Sequence, residues 1–237
     1  MRGRAFGLSQ SAFKRKNKMN LDVIISYIPL YIEAFVLTVK IGWLGILLAL
    51  VIGLFAAFVM HFKIPFLSGI SLVYIELFRN TPLLVQLFFI YFGLPKVGLT
   101  ISAETCGFVG LGLLGGSYMA EVFRSGLESV PKSQTESALA LGLSRKQLFL
   151  SVILPQAISQ SVPGILANVI FLLKETSVFS AISLMDLMFT AKDLIGLYYD
   201  TTEALFLLVI FYIIMLLPVS VIGSIIEKKA RFRTLGV

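Results

Sequence analysis

An all-α integral membrane fold with about five transmembrane helices is predicted, and three observations carry it. Hydrophobic residues make up 57% of the chain and charged residues 14%, against about 45–50% and about 25% in soluble domains. Apolar runs of the roughly 20 residues that cross a hydrocarbon core recur along the 237 positions. The basic residues between them gather on alternate connections, the pattern of a positively charged inner face. One membrane domain is expected over residues 19–227, after a basic extension at 1–18 and before a basic tail at 228–237.

Phe35 to Met60 gives the first clear span. Ser71 to Leu94 is apolar but carries Glu76, Arg79 and Pro82, and it exceeds one bilayer thickness. It reads as an interfacial helix that kinks near Pro82 and then crosses, because proline removes a helical hydrogen bond. Thr81 lies at that kink, and Arg79 just before it suits a headgroup anchor or a gate. Cys106 to Leu127 is a glycine-rich span, in which Gly112 and Gly116 allow close helix approach. Glu121 and Arg124 form a structural i,i+3 ion pair near its end. Ser161 to Leu184 is the fourth span, with Lys174 and Glu175 inside it, and Glu203 to Ile226 is the fifth.

Five spans place Lys63, Lys132, Arg145, Lys146, Lys228, Lys229, Arg231 and Arg233 on one face, which is expected to be cytoplasmic. Residues 1–18 disagree, since Arg2, Arg4, Lys14, Arg15, Lys16 and Lys18 would fall outside. No apolar core and cleavage site follow them, so they are not a signal peptide. An extra interfacial segment would account for them, and a biological start at Met19 removes the conflict more simply.

Composition also narrows the chemistry. Cys106 is the only cysteine and His61 the only histidine, so an intrachain disulfide is impossible, and most metal sites and His-based catalytic schemes lose their groups. No catalytic or metal-binding residue is expected. The net charge of +7 suits inner loops rather than a nucleic-acid partner. A phosphate-binding loop of the G-x-x-x-x-G-K-[ST] type is missing, so any ATP must bind elsewhere.

The stretch at residues 131–157 is too polar to cross. Ser133 and Glu136 fit a capping box, and Ser144 and Gln147 fit a second, with Gly142 a terminator between them. Two short helices follow, the second ending near Leu154 and Pro155. Small residues at Ser137, Ala138 and Ala140 leave a face smooth enough to enter another protein's groove, although an ordinary amphipathic surface loop would read similarly.

At this point the chain resembles a known family, the permease subunits of bacterial ATP-binding-cassette importers for polar amino acids. The family pattern E-A-A, three residues, G, then I-x-L-P is similar to Glu136, Ser137, Ala138, Gly142 and the run from Val152 to Pro155. Ser137 replaces the first alanine, and the spacing to the proline is close rather than identical. Further resemblance lies in "ELFRNTPLLVQLFFIYFGLP", "GGSYMAEVFRSGLESVP" and "LLKETSVFSAIS".

The resemblance implies a type I importer permease fold in a bacterial inner membrane, with a cytoplasmic C-terminus. It implies a coupling helix beginning at Glu136 and seated in a cytoplasmic ATPase. Glu136, Ser137, Ala138, Leu139, Gly142 and Arg145 are the expected coupling residues. The implied partners are two ATPase subunits that bind ATP and magnesium, an identical or homologous permease, an extracytoplasmic amino-acid-binding protein and the lipid bilayer. This chain itself would hold no cofactor.

In the resembling family the span aligned with Ser161 to Leu184 lines the translocation path. A charge there costs about 2.5–3.5 kcal/mol, so it needs a cavity or a partner. Ser161, Asn168 and Glu175 recur every seven residues on one helix stripe. These three and Thr81 are the candidates for the substrate path; a polar contact between helices is the alternative. Lys174 reads as a snorkelling or interhelical group. An ion-coupled carrier using Glu175 and Lys174 would predict internal repeats, which the sequence does not display. A membrane enzyme would need a nucleophile, base and orienting group, and His61 stands alone.

Overall fold

The computed structural model describes residues 19–235. The extension 1–18, and with it the question of a start at Met19, lies outside the described residues, as do the last two residues of the basic tail.

The described chain is a bundle of helices arranged on one glycine-rich rod. Helix α1 runs Leu21–His61, 41 residues, which at 1.5 Å per residue is about 60 Å, roughly twice the hydrocarbon thickness. The expected first span from Phe35 is only its second half. The first half continues helically through Pro29, because it is clamped from both sides. The Tyr31 hydroxyl donates to the Ala204 carbonyl at 2.6 Å, and the Tyr27 hydroxyl donates to Asp200 at 2.7 Å. Asn20 caps the start by accepting from the Asp22 amide.

Helices α2 (Leu67–Arg79) and α3 (Leu83–Phe88) meet at a bend of 104°. From α3 the chain winds on through a π turn, Phe89–Gly93, and a 3-10 turn, Leu94–Val97. Helix α4 is Ala103–Glu128 and α5 is Lys132–Ala140. Helix α6 (Arg145–Leu148), a π turn (Phe149–Ile153), α7 (Leu154–Glu175) and a 3-10 turn (Thr176–Ile182) join into one 38-residue rod. Helix α8 is Leu187–Tyr198, and α9 (Thr201–Leu235) runs on past position 228 without a break. Among the described residues four helices are long and apolar enough to cross a membrane, and five if the bent pair is one span.

Helix α4 is the centre. It runs parallel to the second half of α1, with Ile41 against Gly107, Gly45 against Leu111 and Gly53 against Met119. The steps are four and eight residues on both helices, so one ridge of α1 lies along α4. A Cβ at Gly53 would stand 2.4 Å from the Met119 Cβ and 2.9 Å from the Ala120 amide nitrogen. Helix α7 packs on α4 in the opposite sense, with Ser161 at Gly126, Val122 at Gly164 and Leu172 at Gly115. The ends of α1 and of the α6 rod lie together, since His61 and Phe62 contact the Phe149 ring at 6.1 and 5.7 Å.

At the other end, Asp186 caps α8 while fully buried. Its carboxylate accepts from the amides of Met188 at 3.2 Å and Phe189 at 3.0 Å. Thr38 of α1 accepts from the Leu187 amide at 3.1 Å, tying α8 to α1. Burial pushes the Asp186 carboxyl up to about 7, with the two amide donors pulling the other way.

Two expectations follow. Gly53→Ala should lower stability by about 1–3 kcal/mol through overpacking against backbone. Gly69→Ala, where a Cβ meets nothing within 4 Å, should be neutral or add about 0.5–1 kcal/mol; thermal unfolding in detergent separates them. Asp186 holds its proton more tightly folded than unfolded, so its contribution is present below the ordinary value of 3.8 and is lost as pH rises towards about 7. The unfolding midpoint should therefore fall more steeply between pH ~4 and ~7 in the wild type than in Asp186→Asn; parallel pH profiles would show that Asp186 does not titrate in this range.

Candidate functional site

The bend between α2 and α3 opens a cavity of about 340 Å³ beside the middle of α4. Its wall takes Arg79 and Thr81 from the bend, Tyr118 from α4, and Phe171 and Glu175 from α7. A break in the membrane leaves backbone groups without partners, and each must be satisfied internally. Gln86 does this from α3: its side-chain amide donates to the carbonyls of Phe78 at 3.0 Å and Thr81 at 2.9 Å. The Thr81 hydroxyl donates to the Leu77 carbonyl at 2.7 Å, and the Asn80 amide donates to the Glu76 carbonyl at 2.7 Å. The elbow is therefore a built turn, and Gln86 was not singled out from the sequence. An amide four residues after a proline inside an apolar run was the available signal.

Charge reaches the cavity from two sides. The Arg79 guanidinium lies 5.5 Å from the centre of the Tyr118 ring, within the range of a cation–π contact. Tyr118 in turn meets Phe171 edge-on at 5.4 Å. Glu175 is half-buried on the facing helix, and no ion pair joins it to Arg79. Behind Arg79 stands Glu121, 3.6 Å away, which pairs with Arg124 at 2.8 Å; Arg124 reaches Glu128 at 3.0 Å. Glu121 and Arg124 thus belong to a chain of four alternating charges rather than to an isolated pair. Among the described residues no group of three or more His, Cys, Asp or Glu could hold a metal ion.

The sequence candidates divide. Thr81 and Glu175, 94 positions apart, line the same cavity. Asn168 is half-buried and does not line it. Ser161 lies at the crossing of α7 and α4, 3% exposed, with its hydroxyl donating to the Ala157 carbonyl at 2.8 Å. The seven-residue stripe fails as one surface because α7 passes from a tight helix contact at Ser161 to a cavity wall at Glu175. Lys174 is exposed on another side of α7, in an apolar groove with Leu208 and Tyr212 of α9.

At the end shared by His61 and Phe149, helix α5 stands clear of the bundle. Its N-cap is Pro131, and no side chain caps it. The expected box at Ser133 and Glu136 does not form, because the helix has already begun at Lys132 and both residues lie within it. The end of α5 does close as expected. Gly142 takes φ of +81°, its amide donates to the Leu139 carbonyl at 2.9 Å, and the Leu143 amide reaches the Ala138 carbonyl at 3.2 Å. Those two bonds are a Schellman closure, for which glycine is favoured. The second box forms, with the Ser144 amide donating to Gln147 Oε1 at 2.9 Å and the Gln147 amide donating back to the Ser144 hydroxyl at 3.4 Å.

The helix that this box starts does not end at Pro155. The turn before the proline is π-wound, with the Leu154 amide on the Phe149 carbonyl five residues back, and the rod continues. Glu136, Ser137, Leu139, Gly142 and Arg145 are exposed, whereas Ala138 is buried against the chain's own body. The outward surface of α5 is thus polar and small, with Leu139 and Leu141 projecting from it.

With this geometry in hand, comparison with known proteins is informative. Residues 49–232 match the family described as binding-protein-dependent transport system inner membrane component. The chain is 33% identical over 215 residues to the probable amino-acid permease protein YxeN of Bacillus subtilis, covering 90% of this chain and 96% of that one. It is 32% identical to the arginine transport system permease protein ArtQ of Bacillus subtilis, covering 90% and 99%. To the glutamine transport system permease protein GlnP of Escherichia coli K12 it is 35% identical, covering 86% and 94%. Its fold is similar to a crystal structure of an amino acid ABC transporter with histidines, with TM-score 0.84 and 32% identity over 90% of this chain and 99% of that one.

The Schellman closure supplies a local expectation. A Cβ at Gly142 meets nothing within 4 Å, so Gly142→Ala should act through backbone strain alone, at about 1 kcal/mol. Amide exchange at residues 138–143 should speed up about fivefold, with Gly142→Asn between the two.

Proposed function

The chain belongs to the family of binding-protein-dependent transport system inner membrane components; it is a membrane-spanning permease subunit rather than an enzyme, and from that premise we propose that it carries a polar amino acid. The observation that carries this reading is the elbow cavity. About 340 Å³ suits a molecule of amino-acid size, at the small end of ligand pockets. A guanidinium on one wall and a carboxylate on the other, not paired with each other, match the two charges of a zwitterion. Arg79 would take the α-carboxylate, and Glu175 the α-ammonium or a basic side chain. Tyr118, Phe171 and Leu114 would pack on the carbon skeleton. That the relatives named above include arginine and glutamine permeases supports the same substrate class.

Transport needs a source of work, and α5 has the form of a lever tip. It is short, closed at its end by Gly142, and followed by the capped rod Arg145–Ile182 that reaches Glu175. In this reading Glu136, Ser137, Leu139, Gly142 and Arg145 contact a separate ATPase subunit, and ATP with magnesium binds there. Ala138 supports the helix from inside. Two ATPases, an identical or homologous permease and an extracytoplasmic binding protein complete the assembly. Lys63, Lys132, Arg145 and Lys146 lie at the His61 end, together with Lys228 and Lys229 at the far end of α9, which supports a cytoplasmic position for this end and for the C-terminus.

Uptake into proteoliposomes by the complete transporter tests the cavity. Glu175→Gln and Arg79→Gln should each reduce uptake roughly tenfold to hundredfold with assembly intact, since a hydrogen bond to a charged group contributes about 1.5–3 kcal/mol. Asn168→Ala should have the smaller effect. Undiminished uptake by the two charge variants would remove the cavity from the transport path.

A further inference from the structure

The carboxylate beside Arg79 is more strongly bonded elsewhere. Glu121 accepts two hydrogen bonds from Arg124, Nε to Oε1 at 3.3 Å and Nη2 to Oε2 at 2.8 Å. Its approach to Arg79 is 3.6 Å, from Nη1 to the same Oε2, and no hydrogen bond accompanies it. Arg124 also donates to both oxygens of Glu128 at 3.0 and 3.1 Å. Arg79 has only that long ion pair and the Tyr118 ring, so its donors are unspent among the described residues while it lines a cavity. Of the three ion pairs in this chain of charges, only the Arg79 contact can be given up without breaking a hydrogen bond.

We propose that Glu121 is a positioning residue that parks Arg79 at the cavity rim and yields it to the carboxylate of an incoming amino acid. This rests on the assignment of the cavity given above. The Arg79 guanidinium at the rim is partly exposed, and Glu121 partly compensates its charge without spending its donors. A ligand carboxylate can engage the guanidinium with two parallel hydrogen bonds, which is stronger than a 3.6 Å ion pair. Glu121 loses little in the exchange, because Arg124 remains bonded to both of its oxygens. The pairing also leaves Arg79 and Glu175 each free for the ligand. Glu121 is therefore a competitor of the substrate, and its charge sets how readily the site fills and empties.

The test is equilibrium binding to the permease–ATPase complex in nanodiscs, with radiolabelled L-arginine and L-glutamine as probes and their α-carboxamides as competitors. Glu121→Gln should bind the carboxylate probes about fivefold more tightly, the equivalent of the ~1 kcal/mol of a partly exposed ion pair. It should leave competition by the carboxamides unchanged, and Glu121→Asp should return affinity towards the wild type. The gain should vanish in the Arg79→Gln background, as required if Glu121 acts through Arg79. Unchanged or weaker binding by Glu121→Gln, equal effects on acids and carboxamides, or a gain that persists without Arg79 would overturn the proposal. If Arg79→Gln alone leaves carboxylate binding intact, or neither probe binds the wild type, the cavity assignment itself fails. Those results are distinct from a silent Glu121→Gln.

Discussion

Close approach of α1 and α4 is the constraint on which the other elements depend. Inside a bilayer, helices gain little from the hydrophobic effect, so association rests on packing, and small residues let backbones come near. Gly45, Ala49 and Gly53 on α1 meet Leu111, Gly115 and Met119 on α4, with spacings that exclude even a methyl group at Gly53. Helix α4 is equally shaved towards its other neighbours: Gly110 admits Leu87 of α3, Gly115 admits Leu172 of α7 as well as Ala49, and Gly126 admits Ser161 of α7. Helix α4 is thus a narrow spine that three helices approach at once. The cavity is the place where this packing is interrupted, because the bend at Asn80 to Pro82 carries α3 away from the line of α2.

That interruption is sustained by polar bonds. Gln86 supplies the carbonyls at the elbow with donors, and Tyr74 bonds the Leu113 carbonyl at 2.6 Å to hold α2 against α4. Gly116 leaves room for the Tyr74 hydroxyl, which would otherwise stand 2.6 Å from a Cβ. The G-x-x-x-G pair at Gly112 and Gly116 therefore serves two contacts, Leu48 and Ile52 of α1 and Tyr74 of α2. A fixed elbow keeps Arg79 and Thr81 at one wall while α7 carries Glu175 along the other.

Much of this was legible in the sequence where local chemistry decides the outcome. Apolar runs located the crossings, Gly142 located a helix end, and Ser144 with Gln147 located a start. The errors have one physical origin, which is that distant contacts overrule local signals. The first span was expected to begin at Phe35, but Tyr27 and Tyr31 bind the preceding segment to Asp200 and Ala204, and the helix extends back to Leu21. Ser133 and Glu136 looked like a cap, but the helix is already entered from Pro131, two residues too early for it. Ser161 shares a stripe with Glu175 by periodicity, but Gly126 draws it into a helix crossing. Glu175 was identifiable because a carboxylate in an apolar span demands a cavity or a partner wherever it is placed. Its pairing with the bend at Thr81 was not, since no local rule brings those two positions together.

The π turn at Phe149–Ile153 decides how the outer helix and the cavity are related. Had Pro155 ended the helix, α5 and α6 would hang from the bundle on a flexible joint, and displacement of Glu136 would dissipate there. Instead the Leu154 amide reaches back to the Phe149 carbonyl, and the rod passes the proline intact as far as Ile182. From Arg145 to Glu175 is about 45 Å at helical rise, so in the proposed reading a tilt at the exposed end would displace the cavity wall. The elbow, braced internally by Gln86 and held to α4 by Tyr74, would not follow. A rigid wall and a levered wall facing each other across a cavity of ligand size are what alternating exposure of a binding site requires. The charges on them, Arg79 on the fixed side and Glu175 on the moving one, would then be drawn together or apart with the stroke.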